Sequence, residues 1–97
     1  MDIQKMMKEA QRMQEKLQRK LAEMRVEFSA GGGMVTALLD GQKNLLSLKI
    51  APEVVDRQDV EMLQDLVVAA VAGAAHKVDE EAQAAMGGIM GGIPGLA

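Results

Sequence analysis

Residues 26–50, VEFSAGGGMVTALLDGQKNLLSLKI, decide the fold. Val26, Phe28 and Ala30 alternate with polar neighbours, the period of a short strand. Gly31-Gly32-Gly33 then breaks the chain. Residues 34–39 restart it as a second strand, apolar on both sides except at Thr36. Asp40-Gly41-Gln42-Lys43-Asn44 has the composition of a hairpin turn. Leu46, Leu48 and Ile50 alternate with Ser47 and Lys49, which predicts a third strand with one buried face. Ala51-Pro52 ends the run, because proline cannot donate to a sheet ladder. The expectation is a three-stranded antiparallel sheet.

On the N-terminal side the period changes. Apolar residues fall at Ile3, Met6, Met7, Ala10, Met13, Leu17, Leu21 and Met24, in steps of three and four, with no Gly or Pro between them. That predicts one amphipathic helix over residues 2–25, a rod of about 36 Å. Such a rod is long for a 97-residue chain, so part of it is expected to stand away from the core. On the C-terminal side, Asp56 reads as a helix N-cap with Asp59 three residues on. A second helix is expected over about 57–86. Its middle, residues 66–75, is apolar all round, which calls for cover on more than one side. One three-stranded sheet covers only one side, so a second subunit is expected to cover another. Five glycines and Pro94 over residues 87–97 predict a flexible tail after a single 1–86 domain. The fold class is therefore α+β, in the order α-β-β-β-α.

Composition narrows the chemistry. With 48% hydrophobic and 26% charged residues the chain belongs with globular proteins, not disordered ones. It has no Cys, which excludes disulfides, thiolate zinc sites and a thiol nucleophile. One His leaves little for metal or acid–base work. No Trp, no Tyr and a single Phe remove the platforms on which single-stranded nucleic acid stacks. The longest nearly apolar run, residues 66–75, is far too short for a membrane span, and no secretory leader is evident. The expectation is a small cytosolic protein without metal, cofactor, small-molecule substrate or enzymatic activity.

The net charge of −3 argues against a simple basic DNA-binding module, but it hides a split. Residues 1–25 carry seven Lys/Arg and four acids; residues 26–97 carry four basic residues and ten acids. On the first helix Lys5, Lys8, Arg12, Lys16 and Arg19 fall within about 80° of one another, with Lys20 about 40° beyond and the apolar stripe opposite. The line spans about 21 Å. Duplex DNA offers one negative charge per about 1.7 Å of axis, so the line can meet several phosphates. An ordinary solvated helix face, with pairs Lys5–Glu9, Glu15–Arg19 and Arg19–Glu23, is the commoner explanation of such a stripe taken alone.

Other motifs are weaker. Gly31-Gly32-Gly33 opens a strand, not the Gly-Lys-Ser/Thr helix start that a phosphate loop needs. His76 has no carboxylate–nucleophile set to join. Asp56, Asp59, Glu61 and Asp65 suit a helix N-terminus without any metal. Nine methionines, four of them on the first helix stripe, fit a core or dimer interface, or an adaptable surface that docks on a partner protein.

The order of elements carries specific residues. Met6-Met7-Lys8-Glu9-Ala10-Gln11-Arg12-Met13-Gln14 resembles the Met/Gln-rich first helix of the YbaB/EbfC family of bacterial nucleoid-associated proteins, and Ala30-Gly31-Gly32-Gly33-Met34-Val35 resembles that family as well. Leu46-Ser47-Leu48-Lys49-Ile50-Ala51-Pro52-Glu53-Val54-Val55-Asp56 is similar to the family's third strand and following turn. Asp59-Val60-Glu61-Met62-Leu63-Gln64-Asp65-Leu66-Val67-Val68-Ala69-Ala70-Val71 is similar to its second helix, and Ile93-Pro94-Gly95-Leu96 to its terminus. The resemblance implies a homodimer joined through its sheets, with projecting helical arms. It also implies binding of double-stranded DNA at the nucleoid, for compaction or regulation, without catalysis. The first helix is the region it implicates, with Lys5, Lys8, Arg12, Lys16, Arg19 and Lys20 as candidates.

Overall fold

The computed structural model describes residues 2–90, and the side chains of residues 2–85. Its elements run α1 (Ile3–Glu23), β1 (Val26–Ala30), β2 (Val35–Leu39), β3 (Leu45–Ile50), a 3-10 turn (Pro52–Val54) and α2 (Val60–Met90). This is the expected α-β-β-β-α order.

β2 is the central strand, antiparallel to β1 on one side and to β3 on the other. Val35, Ala37 and Leu39 point to one face and are completely buried, as the period of two requires. They meet Ala70, Ala74 and Val78 of α2, and Val26 and Val54 close the cluster. Burying a side chain such as Leu39 contributes about 2 kcal/mol, so this small Val/Leu/Ala cluster is the seat of the fold. β1 reaches β2 through three glycines with positive φ, Gly31 at 66°, Gly32 at 68° and Gly33 at 93°. Side chains with a Cβ rarely adopt that conformation, which is why the connection is built from glycine.

Three local expectations need correction. The N-cap of α2 is Asp59, not Asp56. Asp59 Oδ1 accepts from the Met62 N–H at 3.3 Å, while the Asp56 carboxylate is spent on the Gln58 N–H in the preceding turn. The helix also runs on to Met90, past the expected end at 86. Gly87 and Gly88 are poor helix formers, but a helix already nucleated extends at little cost, and proline first appears at position 94. The remainder of the flexible tail expected over 87–97 lies outside the described residues. Finally, β3 does not bury a full face. α2 lies over β1 and β2, and a register shift opposite Leu38 and Leu39 pairs Leu39 with Leu45 and leaves Leu46 over. Such a bulge locally disrupts the ladder. Leu48 is half-buried, while Leu45, Leu46 and Ile50 are exposed.

α1 starts where Asp2 caps it, its carboxylate accepting from the Gln4 N–H at 3.0 Å. No residue of α1 is buried. It departs from the sheet as an arm, and the radius of gyration of 18.8 Å far exceeds the value of about 12.5 Å for a compact chain of this length.

The β2–β3 turn is stiff. Asp40 is the one buried charged residue among those described, 7% exposed. Its Oδ1 accepts from the N–H groups of Gln42 and Asn44, both at 2.9 Å, and its Oδ2 accepts from Asn44 Nδ2 at 3.0 Å. The Asn44 side chain and backbone hold the carboxyl below its ordinary range, with Gln42 and the Arg25 charge adding to them and burial opposing. A carboxylate lowered in the folded state stabilises above its unfolded pKa of about 3.9, and that contribution is lost as pH falls through the folded value. Asp40→Asn is therefore expected to lower the thermal midpoint at neutral pH and to flatten its decline below about pH 4. Melting curves across the acid range check this, and an acid limb as steep as the parent's would refute it.

Candidate nucleic-acid interface

Each of Lys5, Lys8, Arg12, Lys16, Arg19 and Lys20 lies on α1, and each is exposed. The continuous helix supplies the spacing, so the line of cations follows from the steps of three and four between them. Lys16 and Lys20 flank a shallow concavity with Met13 and Leu17. None of the six is turned toward the body.

The pairs that would have quenched this face do not form. Among the described residues Lys43 pairs with Asp79 at 2.7 Å, and His76 Nε2 lies 3.0 Å from a Glu80 carboxylate oxygen. Lys5–Glu9, Glu15–Arg19 and Arg19–Glu23 form no such contact. Exposed pairs of this type are worth only a few tenths of a kcal/mol, too little to hold long side chains together against their entropy. The cations of α1 are thus available to an outside polyanion. Arg25 is not part of the line: its guanidinium donates to the carbonyls of Ala22 at 2.8 Å and Met24 at 2.9 Å, closing the end of the helix.

The opposite flank of the arm is apolar and equally open. Ile3 is 73% exposed, Met7 61% and Met13 60%. Sequence periodicity alone suggests burial for such a stripe; within one chain only its root is half-buried, at Leu17, Leu21 and Met24. The outer face of α2 is open too, with Val68 67% exposed, although residues 66–75 are apolar all round. One sheet does cover only one side of this helix.

Among the described residues no three His, Asp or Glu side chains gather in a way that could hold a metal ion. Nor is any described helix long and apolar enough to cross a membrane. His76 faces solvent beside Glu80, and Asp59, Glu61 and Asp65 line an open depression at the start of α2.

Comparison with known proteins agrees with this architecture. A family model described as the YbaB/EbfC DNA-binding family matches residues 1–93. A nucleoid-associated protein of Koribacter versatilis is 50% identical over 97 residues, covering 98% of this chain and 96% of that protein. A nucleoid-associated protein of Acetivibrio thermocellus is 50% identical over 101 residues, covering 98% and 89%. A crystal structure of an uncharacterized protein from Helicobacter pylori superposes with a TM-score of 0.77 at 20% identity, covering 93% of this chain and 98% of that one; it speaks for the fold alone. With a matching family model over nearly its whole length and relatives at half identity, the chain belongs to the YbaB/EbfC DNA-binding family.

Proposed function

We propose that this protein is a homodimeric, nucleoid-associated architectural protein of the cytoplasm that binds duplex DNA with weak sequence preference, for compaction or regulation, and without catalysis. The observation that carries the reading is the line of six exposed, unpaired cations on an arm that buries none of its own residues. Lysines act as point charges on phosphates, while Arg12 and Arg19 can fork onto phosphate oxygens or guanine edges. Phosphate contacts position a protein but carry no sequence information, hence the weak preference.

The dimer is inferred from what a single chain leaves uncovered. The apolar flank of α1, the outer face of α2 and the free edge of β3 are open together. Large apolar side chains left exposed, such as Ile3, Met7, Met13 and Val68, favour an association site, and an unpaired strand edge invites pairing with another strand. A second copy joined through the sheets would present two basic arms to one duplex.

Salt dependence tests the mechanism. If six cations meet phosphates, affinity for a labelled duplex falls about 10³-fold between about 50 and 200 mM salt. Fluorescence anisotropy at several ionic strengths measures it, with an external label because the chain lacks Trp and Tyr. Affinity that holds level across that range would remove phosphate contact as the mechanism. The exposed methionines also suit docking on a partner protein; protein partners retained after nuclease treatment, with no duplex binding, would favour that second reading.

A further inference from the structure

We infer that the β2–β3 turn, residues 40–44, is the mount that sets the direction of the α1 arm, with Gly41 as its seat. The inference rests on the DNA-binding reading only for its functional consequence; the mounting itself is a statement about this chain.

The Gly41 N–H donates to the Leu21 carbonyl at 2.8 Å, and among the described residues this is the one backbone hydrogen bond between α1 and the sheet. The approach is very close. A Cβ on residue 41 would lie 2.6 Å from the Leu21 oxygen and 2.8 Å from Leu21 Cα. Both are backbone atoms, so they cannot swing aside as a side chain would. Gly41 does not have a positive φ, so its glycine serves proximity, not conformational freedom.

The turn can serve as a mount because its own hydrogen bonds make it stiff. Asp40 ties Gln42 and Asn44 into one unit through three hydrogen bonds. Lys43, held at φ 67°, reaches Asp79 of α2 at 2.7 Å. One five-residue turn therefore links the root of α1 to the middle of α2.

Leverage makes the seat matter. Lys5 lies 16 residues before Leu21, about 24 Å along the helix. A tilt of about 10° at the seat moves the Lys5 end by about 4 Å, more than twice the axial spacing of charges on duplex DNA. Gly41 is a positioning residue: it touches no DNA, yet decides where the cations stand.

The test uses the full chain with spin labels at Gln11→Cys and Glu53→Cys. Both sites are exposed, and the chain has no native Cys. Labelled protein is diluted about tenfold into unlabelled protein, so that distances within one chain dominate. Gly41→Ala is expected to shift or broaden the Gln11–Glu53 distance distribution by up to about 2.5 Å, since Gln11 lies about 15 Å along the helix from the seat, and to weaken duplex binding about five- to tenfold although every cation of the arm remains. Asn44→Ala removes a brace without adding any atom near Leu21. It is expected to broaden the same distribution, and it decides the matter if Gly41→Ala does not fold. An unchanged distribution in a folded variant overturns the mount. A shifted distribution with unchanged affinity overturns its bearing on DNA. If the parent protein fails to bind duplex DNA, the DNA-binding reading falls while the distance measurement still decides the mount.

Discussion

Replacing Lys8, Arg12 and Lys16 together with Glu is expected to weaken duplex binding by at least about 500-fold at about 0.1 M salt. Each phosphate contact releases about 0.9 of a counterion, so each lost contact costs close to tenfold at that ionic strength. Three contacts on a single arm already account for this lower bound, a second arm adds to it, and the introduced carboxylates add repulsion. The body should not notice: α1 contributes no buried residue, and none of the three side chains takes part in an ion pair among the described residues. The thermal midpoint and the oligomeric state of the variant should match the parent. Anisotropy titration beside sedimentation checks both halves. A folded variant that binds within about threefold of the parent would place the DNA contact away from this line.

A second large effect is expected at the crossing of α2 over β1. A Cβ on Gly73 would run into the ring of Phe28, with Cε1 and Cδ1 as the nearest atoms. Phe28 is 39% exposed, so it has room to be pushed outward, and the cost is the apolar area it then loses. Gly73→Leu should therefore destabilise by about 2 kcal/mol, set by overpacking and the displaced ring, less the gain in helix propensity. For a domain of this size that lowers the thermal midpoint by about 10 °C. Gly73→Ala should be milder, since a gain of about 1 kcal/mol in propensity offsets a smaller clash. The measurement is a double-mutant cycle with Phe28→Ala. Removing the ring should relieve most of the Gly73→Leu penalty, and additive effects would mean that the two residues do not compete for the same space.

The strands were legible because their alternation is local: Val26, Phe28 and Ala30, and then Leu46, Leu48 and Ile50, announce themselves within a few residues. α1 was legible for the same reason, with apolar residues in steps of three and four and no Gly or Pro before Met24; its cap at Asp2 was not. What escaped was set by geometry between elements. Asp56 and Asp59 are both capping residues by type, and only the intervening turn decides that Asp56 serves Gln58. The alternation in β3 reads as a buried face, but α2 crosses β1 and β2 instead, and the leftover residue Leu46 has no mark in the sequence. In the candidate site, the common face of the six cations followed from their spacing. Their freedom from Glu9, Glu15 and Glu23 did not, since that spacing equally permits pairs. Gly41 looked like ordinary turn chemistry, and its close approach to Leu21 spans twenty residues of chain.

That α1 fully buries no residue of its own has an evolutionary side. A residue on the arm answers to whatever the arm touches, whereas a residue such as Ala37 or Ala74 answers to its neighbours in the core. Mutations can therefore redraw the ligand-facing surface without taxing foldability. Such a division lets one inherited scaffold explore many surface charge designs, each open to selection on binding alone.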